Sequence, residues 1–321
     1  MFRWRRAFAL PAVALLALGA CGGDDDDTTL DATTTPLATD APATTPAAET
    51  TLASPSTEAA MPVDIPTKIV SLYPTGTEML FAIGADDQVI AVDDQSNYPD
   101  GAVAKQTDLS GFAPNVEAIA AYEPDLVVHD GTTDIGTQLD AVGIPQWAGP
   151  AAEDFDDIYQ QLEQLGALTG HVAEAAELVA QMETDVDTAI AAIPPSDTPL
   201  SYYHELDSTL FSVTSNTFIG QVYSLFDLRN IADTTEAGTD YPQLNAEFVI
   251  SQDPDLIFLA DADFGESPET VAARPGWETI TAVQRGSVIP VNTDIASRWG
   301  PRIVEFIEIV SDAIATASVA G

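Results

Sequence analysis

Positive charge is the scarcest thing in this sequence. Ten Lys and Arg stand against 51 Asp and Glu over 321 residues, a formal net charge of −41. Such a surface repels nucleic acid, which is bound by Lys and Arg that neutralise phosphates. It also disfavours docking by charge on anionic lipid. The acidity reads as solvation of an exposed protein, of a kind suited to a saline habitat. Cysteine is nearly absent: Cys21 is alone, which excludes an internal disulfide and a Cys-rich zinc site. His129, His171 and His204 are far apart in sequence. P-loop, GxGxxG, GxSxG and HExxH patterns are all missing. Acidic pairs are so common that choosing two as a glycosidase acid and nucleophile would be arbitrary. Hence no catalytic residue, no cofactor and no metal site is expected, and the chain does not read as an enzyme.

A long apolar run is missing too. The run Phe8–Leu18 is too short for a good membrane span and follows Arg3, Arg5 and Arg6, the pattern of a signal peptide. It ends in Leu18-Gly19-Ala20-Cys21, which resembles a bacterial lipobox. Residues 1–21 are therefore expected to be a lipoprotein signal, with Cys21 lipidated. Residues 22–62 are rich in Thr, Ala, Pro and acid and contain no aromatic. Such a segment cannot bury enough apolar surface to offset its ordering entropy, so it reads as a disordered linker.

What is there is a repeat. NVEAIAAYEPDLVV (115–128) returns as NAEFVISQDPDLIF (245–258), with Asn115, Glu117, Pro124, Asp125 and Leu126 each displaced by 130 residues. Each copy offers a capping Asn, a Glu in the first helical turn, a Pro-Asp break and an apolar β-type run. The spacing is too long for a solenoid and reads as one similar unit in each half of the molecule.

The segment around the first copy alternates strand and helix. Ile69–Leu72 reads as a strand, Thr75 as a cap with Glu78 three residues on, and Val89–Val92 as the next strand. Residues 67–150 thus form an α/β lobe with a parallel sheet. Residues 153–168 read as a helix. In 171–193 apolar residues keep helical intervals without a Gly or Pro, so at about 1.5 Å per residue this helix spans roughly 35 Å. This helix, 171–193, therefore reads as the spine between lobes, within a helical connector 153–193. Residues 198–321 form the second lobe, with LSYYH as a strand, 211–215 as a further extended piece, Asn216 as a helix cap and Pro301 in the first turn of a final helix. The fold class is α/β: two α/β lobes on a helical spine, with a ligand cleft between them. Ligands of open α/β sheets sit beyond the carboxyl ends of strands. Tyr73 follows its strand directly, Tyr98, Phe112 and Trp147 fall in loops or at strand ends, and His129 and His204 lie near strand ends.

Taken together, KIVSLYPTGTEMLFAIGA, the two repeat copies, RPGWETITAVQRGSVIPV and SRWGPRIVEFIEIV resemble the family of binding proteins that serve importers of vitamin B12 and iron–siderophore complexes. The likeness covers roughly residues 67–318. It implies rigid lobes, a long spine, and extracytoplasmic capture of a metal-chelate small molecule, cobalamin or another corrinoid or a ferric siderophore. Its implied partners are an ABC permease with its ATPase, and the membrane through the lipid anchor. By motif, the glutamates that dock arginines of the permease fall on Glu117 and Glu247. Cleft aromatics fall near Tyr98, Phe112 and Tyr241, and an arginine falls on Arg298, beside Trp299. His129-Asp130 departs from the aromatic that B12-binding relatives carry after the first PDL strand. The alternatives are heme, with Tyr or His as iron ligand, and an enzyme on a similar two-lobed scaffold.

Overall fold

The computed structural model describes residues 64–235 and 238–320, with side chains through Ser318. The expectations for residues 1–21 and 22–62, Cys21 among them, lie outside the described residues. Two four-stranded sheets organise the rest. The first holds β1 (Ile69–Ser71), β2 (Val89–Val92), β3 (Leu126–His129) and β4 (Gln146–Ala148) in the order β2-β1-β3-β4. The second holds β5 (Ser201–Glu205), β6 (Arg229–Asn230), β7 (Leu256–Leu259) and β8 (Val288–Pro290) in the order β6-β5-β7-β8. Every pairing is parallel, and the two orders are the same permutation.

Parallel strands need crossovers, and helices supply most of them. The first lobe carries α1 (Pro74–Ala82), α2 (Asp100–Val103), α3 (Val116–Ala120) and α4 (Ile135–Val142). The spine is a pair, α5 (Phe155–Thr169) and α6 (Val172–Ala191). The second lobe carries α7 (Phe218–Ser224), α8 (Ala246–Gln252), α9 (Pro268–Ala272), α10 (Thr281–Arg285), α11 (Thr293–Ser297) and α12 (Ile303–Ala320).

Helices cover both faces of each sheet, so the strands are apolar on both sides. Ile69 and Val128 face inward; Val70, Leu72 and Val127 form a separate outer cluster. In the second sheet Tyr202 and Phe258 face inward, while Tyr203, Ile257 and Leu259 pack outward with Trp277. The inner cluster is continuous from Met79 through Leu162 of α5 and Met182 of α6 to Phe306 of α12. Ser311 of α12 donates to the Ala189 carbonyl of α6 at 3.1 Å. The spine is thus part of the hydrophobic core that joins the lobes.

Three local expectations are corrected. Thr75 is not a cap: α1 begins at Pro74, whose fixed φ suits a first helical position, and Tyr73 precedes it without a side-chain cap bond. Glu78 is released for another role. Residues 211–215 are the expected extended piece, with a single bridge from Phe211 to Gln243. Thr217, not Asn216, caps α7, accepting from the Gly220 amide at 3.0 Å, while Asn216 donates to Asp240 at 3.1 Å. Pro301 precedes the final helix, which starts at Ile303.

Candidate ligand cleft

Because each sheet is wholly parallel, its strand carboxyl ends share one edge. The two edges are brought together by the loops after β2 and β8. Asn97 donates to Asp294 at 2.8 Å, and Arg298 donates to Asn97 at 2.9 Å and to the Gln95 carbonyl at 3.3 Å. At the other flank, Gln221 of α7 donates to the Glu153 carbonyl at 2.6 Å and Phe155 meets Phe218 with ring centroids 5.5 Å apart. The carboxyl ends of β1, β3, β5 and β7 lie between these flanks, where a ligand site in an open parallel sheet is expected.

Two exposed aromatics stand on loops that lead into the repeated motif. Phe112 is 85% exposed and Tyr241 52%. Gly111 sets the first: a Cβ there would collide with the Leu72 carbonyl at the end of β1, so only glycine lets the loop approach that closely. The second loop is held by the 211–215 segment. Ser212 and Thr214 amides donate to the Pro242 and Asp240 carbonyls at 3.0 and 2.9 Å, which is where the hydrogen bonds of that extended piece go. Phe264, in a 3-10 turn past β7, is 82% exposed. Sequence reading passed over it, although the strand-end rule that selects Tyr73 applies to it equally. Its turn is fixed: Asp263 accepts from Asn292 and the Thr293 amide, both at 2.9 Å.

The remaining sequence candidates are buried or held against protein groups. Tyr73 is buried, and the ring lies against Gly76 and Gly149. Burial, then the Asp130 charge, pushes its hydroxyl well above the usual phenol range. His129 is buried and uses both ring nitrogens: Nδ1 accepts from the Gly131 amide at 3.1 Å, so Nε2 donates to Gln146 at 2.8 Å. His204 is fully buried, bonded to the Tyr223 hydroxyl at 2.7 Å, and burial lowers its pKa to about 3. Trp147 donates to Gln164 at 3.1 Å. Tyr98 lies under the Arg302 guanidinium, 4.2 Å from ring centroid to carbon. It faces a cavity of about 500 Å³ shared with Phe81, Asp86 and Pro301. Arg298 binds Glu78 at 2.7 Å and Asp294 at 2.8 Å. Trp299 is half-buried against the inner core. Phe112 and Tyr241 are thus exposed on their loops, whereas His129 and Arg298 are spent on protein partners.

The strand ends are rich in buried carboxyls. Asp93, beyond β2, accepts from Ser96 at 2.5 Å, and burial pushes it up to about 6. Glu205 ends β5 and receives both Arg274 terminal nitrogens at 2.6 and 2.5 Å. Arg274 also holds Glu266 at 2.7 Å and lies 4.6 Å over the Trp277 ring. Asp261, two residues past β7, is 3% exposed with both carboxylate oxygens lacking a hydrogen-bond partner. Burial, then the charge of Glu205, pushes it up to about 6.

The repeated glutamates occupy matching places. Asn115 accepts from the Glu117 and Ala118 amides at 2.9 and 3.1 Å. Asn245 accepts from the Phe248 amide at 2.9 Å. A crossover helix runs against its strand, so the starts of α3 and α8 stand on the same rim as the strand carboxyl ends. Glu117 and Glu247 are both exposed. Among the described residues neither carboxylate has a salt-bridge or hydrogen-bond partner.

This duplicated, all-parallel architecture with a cleft at the strand ends defines a two-lobed binding protein. The sequence profile of the periplasmic binding protein family matches residues 69–294, and the chain belongs to that family of transport binding proteins, not to an enzyme family. It is 33% identical over 250 residues to a cobalamin-binding protein of Halobacterium salinarum, covering 75% of this chain and 67% of that one. It is 30% identical over 258 residues to an uncharacterized ABC transporter substrate-binding lipoprotein of Bacillus subtilis, covering 78% and 80%. Among solved structures, a possible iron-binding periplasmic solute-binding protein of Staphylococcus epidermidis superposes with a TM-score of 0.67 at 24% identity, covering 78% of this chain and 98% of that one. Among the described residues no helix is long and apolar enough to cross a membrane.

Proposed function

We propose that this protein is the extracytoplasmic, lipid-anchored binding component of an ABC importer, tethered through Cys21. It captures a metal-chelate ligand, a corrinoid or a ferric siderophore, between its lobes and delivers it to the permease and its ATPase. The observation that carries this reading is the pair Glu117 and Glu247: two free carboxylates on equivalent helix starts, one per lobe, on the rim of the cleft. Two like charges so placed suit a partner with two basic contacts. The names of the Halobacterium and Bacillus relatives support the ligand class and the anchor. Phe112 and Tyr241 supply aromatic contact to the ligand without covalent chemistry.

The test separates delivery from capture. Glu117→Ala combined with Glu247→Ala is expected to impair uptake by cells carrying the importer while leaving cobalamin affinity, measured by calorimetry, unchanged. Loss of affinity in the double variant would show that the glutamates belong to the ligand site instead.

A further inference from the structure

Charge is distributed unevenly along the strands. The described residues contain seven Lys and Arg. Four lie toward the amino ends of strands. Lys68 immediately precedes β1 and Arg229 opens β6. Lys105 donates to the carbonyls of Asp86 and Val89, at the start of β2. Arg285 ends α10, just ahead of β8. Of the other three, Arg274 and Arg298 stand by strand carboxyl ends, and all three are held by carboxylates. Arg274 is shared by Glu205 and Glu266. Arg298 is shared by Glu78 and Asp294. Arg302 lies 3.2 Å from Glu305 and 3.6 Å from Glu78, with Tyr98 across its face.

The carboxyl ends carry the opposite sign. Asp93 follows β2, Asp130 follows β3, Glu205 ends β5 and Asp261 follows β7. In the second lobe one guanidinium, that of Arg274, holds Glu205 and Glu266, and Asp261 is left without any hydrogen-bond donor. A buried carboxylate in that position marks an edge already short of positive charge. It offers no compensation to an arriving anion.

We infer that the cleft selects its chelate by charge: it takes a neutral or cationic metal chelate and rejects an anionic one. The inference rests on the reading of the cleft as a metal-chelate site and narrows it. Corrinoids with neutral amide side chains and ferric trihydroxamates meet the condition. A trianionic ferric tris-catecholate and the propionates of hemin do not. Their entry would set like charges against the strand ends, where among the described residues each arginine is already held by carboxylates.

The test is a calorimetric titration of the full chain with four probes: cyanocobalamin, a ferric trihydroxamate, a ferric tris-catecholate and hemin. At least one neutral probe is expected to bind about a hundredfold or more tightly than either anionic one. The gap is expected to shrink as NaCl rises from 0.01 to 1 M, because the Debye length falls from about 30 to about 3 Å. Asp94 is the exposed carboxylate beside buried Asp93, and Asp130 is half-buried after β3; Asp94→Asn with Asp130→Asn is expected to narrow the gap about tenfold. Binding of the tris-catecholate or hemin within about tenfold of the neutral probes would overturn charge selection and leave the metal-chelate reading standing. A gap that moved neither with salt nor in the double variant would also overturn it. Failure of all four probes to bind would remove the metal-chelate reading, and this inference with it.

Discussion

Glu78 shows how a residue acquires a role that its neighbours do not reveal. It lies in α1, 3% exposed, and its partner Arg298 is 220 residues away. The pair fastens one lobe to the other. In sequence the local spacing Thr75–Glu78 suggests a capping box, and nothing near Glu78 points to Arg298. Burial pushes the Glu78 carboxyl up, against the hydrogen bond and charge of Arg298, so the pair is sensitive to loss of either member. Arg298→Met is expected to lower stability by about 3 kcal/mol, since removing one partner strands a buried charge. Glu78→Met with Arg298→Met is expected to recover most of that loss in urea denaturation. A silent single variant would mean that the lobes are not fastened there. His129 was legible only as a strand-end histidine; that both nitrogens are spent depends on the Gly131 amide and Gln146. Phe112 was expected as a cleft aromatic only through the family resemblance; what sets the position of its loop is Gly111. Gly111→Ala is expected to cost about 1–3 kcal/mol through the clash with the Leu72 carbonyl, and to weaken cobalamin binding as Phe112 is displaced.

At the scale of elements, period and punctuation carried most of the information. The strands of PDLVV and PDLIF, the spine and both repeat helices were legible because apolar runs and helical intervals are local signals. Segment 211–215 was legible as extended, but not its partner: an extended backbone becomes a strand only if it finds a ladder, and this one bonds to the loop of Tyr241. The repeat also contains a device that spacing alone does not explain. Asp125 accepts from the Thr67 and Lys68 amides at 2.9 Å each, and Asp255 accepts from the Ser201 amide and hydroxyl at 2.9 and 2.8 Å. In each lobe the aspartate of Pro-Asp thus binds the chain where the lobe's first strand begins. Asp255→Ala is expected to cost about 1–3 kcal/mol, the penalty for leaving such donors unpaired, measured as a fall in the denaturation midpoint. An unchanged midpoint would show the contact to be incidental.

At the scale of the molecule, charge governs the response to solution conditions. Asp93 and Asp261 both titrate near 6 in the folded state, above the ordinary carboxyl value of about 4. Between about pH 4 and 6 the native state therefore holds protons that the unfolded chain has released, so stability falls as pH rises through that window. The melting temperature at pH 5 is expected to exceed that at pH 7 by about 2–4 °C, and Asp93→Asn with Asp261→Asn should flatten the difference. With a net charge of −41, melting temperature should also climb with NaCl, as screening relieves self-repulsion; a fall would contradict that account. The aspartate ties have a further consequence for the order in which the molecule can be made. Each spans a similar length of chain, 57 and 58 residues in the first lobe and 54 in the second. Neither tie draws on a residue from the other lobe. As the chain leaves a ribosome or threads an export channel amino end first, the first lobe can close this tie while the second is still on the far side.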